Sequence, residues 1–359
     1  MTTVLFDPHL RLRTPHDVLS AVPYLTGHHP ADSLVALGLR GDSLRFHVRA
    51  DLPAPDALDD EVEAFAEHFA GVLAPQGCDG ILLVGYGSTQ RVARAAQALR
   101  VPLRAGRIRV YEIFRATRDR FWSMLCPGGT CCPAEGRPYD VRSSPVAAAA
   151  TVAGFVVLPD RDAVVATLAA PTGERLAAIE AATARARDRL GELVASSASP
   201  VAEMVRAGRI ALAQARAHHA AAGRLTDDEV GWLTVLLVAP PVRDLAWRRI
   251  ERTSETGWWV WEQLWTDVLC RCDPQFAAAP GVLLGYAKWR AGDGFRANIA
   301  IARALAADPD YPPARAMAEI LTRALPPSVL HRPDPSRPRP RAAAGRRLAR
   351  ARAAHRRRR

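Results

Sequence analysis

The sequence predicts an α/β or α+β N-terminal sheet domain followed by an all-helical domain. Three observations carry that expectation. Short apolar runs alternate with amphipathic stretches up to about residue 125. A loop rich in Cys, Pro and Gly then interrupts the chain, Cys126-Pro-Gly-Gly-Thr-Cys131-Cys132-Pro-Ala-Glu-Gly136-Arg-Pro138. From Ser143 onward only helical patterns recur. With 359 residues, the chain divides by expectation into a sheet domain over 1–142, a helical domain over 143–326 and an Arg/Pro-rich tail over 327–359.

Thr14-Pro15-His16-Asp17 has the form of a capping box, with Pro15 suited to the first helical turn and Asp17 to the positive helix end. The helix carries Val18, Leu19 and Val22, and Pro23 is expected to break or kink it. Ser33–Leu39 reads as a buried strand. After a turn at 40–43, Leu44, Phe46, Val48 and Ala50 alternate with Arg45, His47, Arg49 and Asp51, the clearest strand pattern in the chain. Leu58–Leu73 is an amphipathic helix with Val62, Phe65, Phe69 and Val72 on one stripe. Ile81–Val84 is a further strand and Ser88–Leu99 a helix. Arg107–Phe114 and Asp119–Leu125 close the sheet.

The helical part begins with Ala147–Ala153 and Arg161–Ala169, then the long Glu174–Ala195, then helices near 200–221, 226–238 and 241–252. Seven of the eight tryptophans follow residue 230, and Trp258, Trp261 and Trp265 share one helical face. That spacing suits core packing, with a peptide groove as the alternative. Trp289 to Ala314 echoes one tetratricopeptide-type hairpin, and an array needs about three such repeats.

The net charge of +11 belongs to the tail: residues 331–359 hold twelve arginines and one acid, and the rest of the chain is balanced. Such a tail is expected to be disordered. It would bind nucleic acid or an acidic protein weakly and without sequence preference, through charge alone. It has no aromatic residue for base stacking. No apolar run approaches the ~20 residues that span a bilayer, so no membrane partner is expected. The N-terminal stretch lacks a basic region followed by an apolar one, and six cysteines are few for a disulfide scaffold. Both point to the cytoplasm.

A set of motifs recurs in fixed order: Pro15-His16-Asp17-Val-Leu, Val22-Pro23-Tyr24-Leu25-Thr26-Gly27, Pro30-Ala-Asp32-Ser33-Leu34-Val35, Arg49-Ala-Asp51-Leu52-Pro53, the Trp122–Cys126 stretch, Cys131-Cys132-Pro133-Ala-Glu-Gly136, Gly292-Asp293-Gly294 and Ala304-Leu305-Ala-Ala-Asp308-Pro309. Together they resemble the actinobacterial domain-of-unknown-function family 4192, over about residues 10–325. The resemblance implies a fold type and a bacterial cytosolic setting, and no activity. The doublet His28-His29 departs from the pattern, where an aromatic and a basic residue are expected.

Three stretches are candidates for chemistry. In the cysteine loop, Cys126, Cys131 and Cys132 could hold Zn²⁺ as thiolates or form a labile disulfide, or simply pack as small weakly polar groups. The spacing is not the usual Cys-x2-Cys of a zinc site. Arg49, held by Asp51, could line an anion pocket near Asp32 and Ser33. Otherwise that face is the polar side of a half-exposed strand. Gly85-Tyr86-Gly87-Ser88 follows a strand and opens a helix, where backbone N–H groups can meet a phosphate, although a plain Ser N-cap explains it too. The first functional reading is a non-catalytic binding or regulatory protein whose helical domain contacts a protein partner. The alternatives are an enzyme or small-ligand sensor with an anion pocket near Arg49, Gly85–Ser88 and the Cys126–Cys132 loop, and a structural zinc protein.

Overall fold

Helix α1 (Pro15–Thr26) begins as the sequence predicts. The Asp17 amide donates to Thr14 Oγ1 at 3.1 Å, and the Thr14 amide donates to Asp17 Oδ2 at 2.9 Å. Pro23 does not break it. The helix runs three residues further and ends at Gly27, whose φ of 77° is a left-handed cap. Pro23 has no N–H to offer the Leu19 carbonyl. The burial of Val18, Leu19, Val22 and Leu25 holds the helix through that gap. The Thr26 hydroxyl lies 3.0 Å from the Val22 carbonyl and 2.7 Å from that of His28, so it ties the last turn to the loop that follows.

The computed structural model describes residues 14–41, 43–128, 132–253, 257 and 259–330. The described residues up to Pro326 belong to one compact unit. The expectations for the tail over 331–359, for Cys131 and for Trp258 fall outside the described residues.

The elements that follow α1 are β1 (Ser33–Arg40), β2 (Ser43–Asp51), α2 (Asp59–Leu73), β3 (Gly80–Tyr86), α3 (Thr89–Ala105), β4 (Arg109–Ala116), β5 (Arg120–Ser123) and β6 (Arg137–Pro138). The predicted order holds. The sheet does not stop at the cysteine loop, however, because β6 returns to pair with β5 after it. The strand order is β2-β1-β3-β4-β5-β6. Only β3 and β4 are parallel, joined through α3; every other pair is antiparallel. Alternation along the strands separates two cores. Leu34, Ala36, Ile81, Leu83 and Ile113 pack with Phe69 and Leu73 of α2 and with Val92, Leu99 and Leu103 of α3. On the other face, Val35, Leu37, Val84, Tyr86 and Phe114 meet α1 together with Val146 and Ala150.

Those last two residues belong to α4 (Pro145–Val152). Helices α5 (Arg161–Ala166), α6 (Gly173–Ala195), α7 (Pro200–Ala222), α8 (Asp227–Leu237), α9 (Pro240–Glu251), α10 (Trp259–Arg271), α11 (Ala278–Arg290), α12 (Gly294–Ala307) and α13 (Pro312–Thr322) complete the chain to residue 322. A third core holds them, built on Ile179, Leu212, Leu233, Trp261, Trp265, Val282, Ile301 and Met317. Trp261 and Trp265, the described members of the tryptophan face, are therefore core and not groove, while the neighbouring Trp259, off that face, is exposed. The repeat-like stretch from Trp289 to Ala314 runs from the end of α11 through α12 into the start of α13, and α11 and α12 pack closely as a hairpin. At Gly281 a Cβ would sit 2.8 Å from the Ala300 carbonyl oxygen, so only glycine allows the two backbones this close. No described helix is long and apolar enough to cross a membrane.

Candidate functional site

The register places Ser33 opposite Asp51 on one side and opposite Tyr86 on the other. The start of β1, the end of β2 and the carboxyl end of β3 therefore share one end of the sheet. Asp32, Ser33, Arg49, Asp51, Gly85, Gly87 and Ser88 all gather there.

Their individual surroundings differ. Asp32 adopts a left-handed backbone, φ 46°. Its carbonyl accepts from the Leu52 amide at 2.8 Å and its carboxylate pairs with Arg91. Arg91 also donates to the Leu52 carbonyl at 3.1 Å and to that of Pro53 at 3.0 Å, so it clamps the two loops together. Ser33 is fully buried. Its hydroxyl donates to the Ala31 carbonyl and accepts from Arg49 Nε at 3.0 Å. Arg49 reaches Asp51 Oδ1 at 2.6 Å, as the sequence suggested. Gly85 lies beneath Val92 of α3, where a Cβ would be 2.4 Å from a methyl group, so close helix packing accounts for that glycine. Ser88 is the α3 N-cap, accepting from the Arg91 amide at 3.3 Å, and the Gly87 carbonyl accepts from Arg115 Nε at 3.0 Å.

The polar face of β2 is divided: Arg45 and Asp51 stay exposed, while His47 and Arg49 are half-buried. The helical part reaches the end of the face that carries Arg49 and Asp51. The loop after α4 is tied to the loop after α1, with His29 N donating to the Leu158 carbonyl at 3.2 Å and Leu158 N to that of Gly27 at 2.9 Å. This brings Arg161, at the start of α5, to Asp51 Oδ2 at 3.6 Å. The α12 N-terminus adds Asp293, Phe295 and Arg296. Asp293 caps α12 by accepting from the Arg296 amide at 3.0 Å and pairs with the Arg296 side chain at 3.1 Å. It also lies 3.8 Å from Lys288 Nζ, and Lys288 pairs with Glu262. Phe295 packs on His28, ring centroids 5.2 Å apart, with the Arg161 guanidinium 5.8 Å above it.

Two histidines line this seam. His28 is 1% exposed. Its Nδ1 lies 3.0 Å from the Thr26 carbonyl, and its Nε2 is buried with no hydrogen-bond partner. Burial holds its pKa below the ordinary imidazole value. The bond to Thr26 opposes this, and the guanidinium groups of Arg49, Arg161 and Arg296 reinforce it. His47 is lowered too, first by burial, against the raising effects of Asp293 and of a hydrogen bond to the Leu25 carbonyl. Both rings are thus neutral in the folded chain at pH 7, while in the unfolded chain they gain protons below about pH 6.5. The unfolded state then binds more protons, so stability falls as pH drops from about 6.5 toward the folded-state values. Urea midpoints should decrease between pH 7.5 and 5.5, less steeply in His47→Gln. A wild-type midpoint that stays level across this interval would contradict the assignment.

The cysteine loop stands elsewhere. It joins β5 to β6, while Arg49 lies on the opposite edge strand. Four strand steps separate β2 from β5, about 19 Å at the usual spacing. The pocket expected to unite Arg49 with Cys126 and Cys132 therefore does not form. The loop is held on its own edge, with Trp122 Nε1 donating to the Ala134 carbonyl at 2.9 Å and Arg120 donating to that of Gly136 at 3.0 Å. Gly136 has φ 80°, and a Cβ there would lie 2.5 Å from the Trp122 ring. No group of three His, Cys, Asp or Glu among the described residues could hold a metal, and Cys131 lies outside them.

Arg161, Phe295 and Arg296 carried no sequence signal. Nothing local links them to β2, and only the Gly292-Asp293-Gly294 motif pointed to that end of α12.

The fold and the seam define a protein in which a mixed sheet with helices on both faces is closed along its polar strand by a helical bundle. Residues 15–328 match the family described as Domain of unknown function (DUF4192), and the chain belongs to that family. No curated protein and no solved structure matches it.

Proposed function

We propose that the protein is a binding or regulatory protein that takes a small anionic ligand in the seam between β2 and the α12 N-terminus. The observation that carries this reading is Arg49. Its side chain is 16% exposed and anchored on both sides by Ser33 and Asp51. A guanidinium has five N–H donors, and these two anchors leave others to meet an anion. The anchoring removes much of the side-chain entropy that binding would otherwise cost. The Ser33 proton is directed at the Ala31 carbonyl, which suits Ser33 to positioning Arg49 more than to acting as a nucleophile.

The test is calorimetric titration of the full chain with inorganic phosphate, sulfate, citrate, malate and adenosine monophosphate at millimolar concentration. At least one should bind, and Arg49→Ala should weaken it about tenfold or more, the loss expected for a charge-assisted hydrogen-bonding group. Binding that ignores the Arg49→Ala change, or no binding of any anion to the wild type, would refute the reading.

A further inference from the structure

We propose that the outer faces of α2 and α3 form a self-complementary surface on which a second copy of this chain docks, α2 of each copy lying over α3 of the other. This surface is on the opposite side of the sheet from the Arg49 seam, since Val48 and Ala50 pack toward α2 and α3 and Arg49 alternates with them.

The sequence separates charge along these two helices. Residues 51–79 hold eight acids and no lysine or arginine, and residues 80–111 hold six arginines and no acid. The fold then sets the two blocks side by side. Strands β2 and β3 both run antiparallel to β1, so α2 and α3 leave the same end of the sheet. They bury their apolar stripes in one core, Ala66, Phe69 and Leu73 from α2 and Val92, Leu99 and Leu103 from α3. The helical period therefore turns Asp60, Glu63 and Glu67 outward on α2 and Arg100 and Arg104 outward on α3, with Arg107 just beyond, all of them exposed. Val101, 77% exposed, stands among the arginines.

Within one chain these charges are not matched. Among the described residues, Asp59 with Arg94 is the one ion pair that links the two helices, and the six outward groups take part in none. That pair also sets the level of one helix against the other. Glu67 lies eight residues beyond Asp59 and Pro102 eight beyond Arg94, so Glu67 stands about level with Pro102, between Arg100 and Arg104.

A two-fold axis can use this face in two ways. An axis across the helices lays α2 on α2 and α3 on α3, acid against acid and guanidinium against guanidinium. An axis along the helices, between α2 and α3, lays each acidic stripe over the basic stripe of the other copy at the same level. Glu67 then meets Arg100 and Arg104 of the second copy. Only this arrangement is attractive, and it closes at two copies. The area limits its strength. Helix α2 has 15 residues, so it is ~22 Å long, and two helices ~10 Å apart give a contact of roughly 450 Å² on each copy. A standard stable interface covers about 800 Å² per partner, so this association is transient and carried by charge.

Sedimentation velocity of the full chain tests the proposal. At about 20 mM salt the wild type should dimerise with a dissociation constant of roughly 1–100 µM, weakening about tenfold or more at about 500 mM. Glu63→Arg with Glu67→Arg reverses α2, and Arg100→Glu with Arg104→Glu reverses α3. Each of these two variants alone should be monomeric. Mixed in equal amounts they should pair again, because a face made basic then meets a face made acidic. If a reversal fails to fold, Glu67→Gln and Arg104→Gln should each weaken the dimer several-fold. A wild type that stays monomeric at low salt, a dimer indifferent to salt, or a mixture of the two reversals that does not associate overturns the proposal. So does loss of the dimer on reversing α2 but not on reversing α3, which would put another basic segment on the acidic stripe.

Discussion

Trp265→Ala should lower the unfolding free energy by about 3–5 kcal/mol, among the largest losses a single substitution can produce here. Trp265 is fully buried in the helical core, among Leu264, Val268 and Leu269 of its own helix and the α8 and α11 side chains of the same cluster. Its removal leaves a cavity that the surrounding helices cannot fill by small shifts. The indole N–H adds a second element. It is buried without a hydrogen-bond acceptor, so the wild-type side chain already carries an unfavourable term. Trp265→Phe removes that donor while keeping most of the ring, and should cost far less than the alanine change, roughly 1 kcal/mol or below. Urea denaturation of both variants checks the pair. A phenylalanine variant as unstable as the alanine one would show that Nε1 is satisfied in solution.

The second large effect is expected at Lys288, the only lysine in the chain. Its ammonium lies between Glu262 and Asp293, with side-chain exposures of 11%, 19% and 24% for the three groups. Lys288→Met leaves two largely buried carboxylates without the cation they share, Asp293 keeping Arg296 as a partner. Breaking a buried pair from one side costs about 3–5 kcal/mol. Removing both ends together with apolar residues of similar volume, Lys288→Met with Glu262→Leu, should recover most of it, because desolvation of the charges then vanishes along with their attraction. Chemical denaturation at pH 7 gives the comparison. A single variant within about 0.5 kcal/mol of wild type would show that water reaches this pair and screens it.

What the sequence revealed was local. The Thr14–Asp17 box, the alternation of β2 and the Gly-rich turn into α3 each rest on residues within one or two turns of each other, and all three formed. Pro23 shows where local reasoning failed. Its missing hydrogen bond was correctly read, but the burial of Leu19 and Val22, which outweighs it, belongs to tertiary packing. The polar face of β2 shows the same limit at the site. Arg49 and Asp51 were recognisable as a pair two residues apart on one strand. Their neighbours Arg161, Phe295 and Arg296 sit on helices far along the chain, where an arginine at a helix start looks like any other. The cysteine loop lies away from Arg49 for a topological reason that no local pattern carries: β1, β3 and β4 intervene in the sheet and put it at the other edge.

Because its one ε-amine is walled in between α10 and the α11–α12 hairpin, the described body offers acylating reagents no exposed lysine. Amine labelling at residue 288 would then proceed only when that corner of the bundle opens, so its rate measures the free energy of local opening directly, with no probe needing to be engineered in.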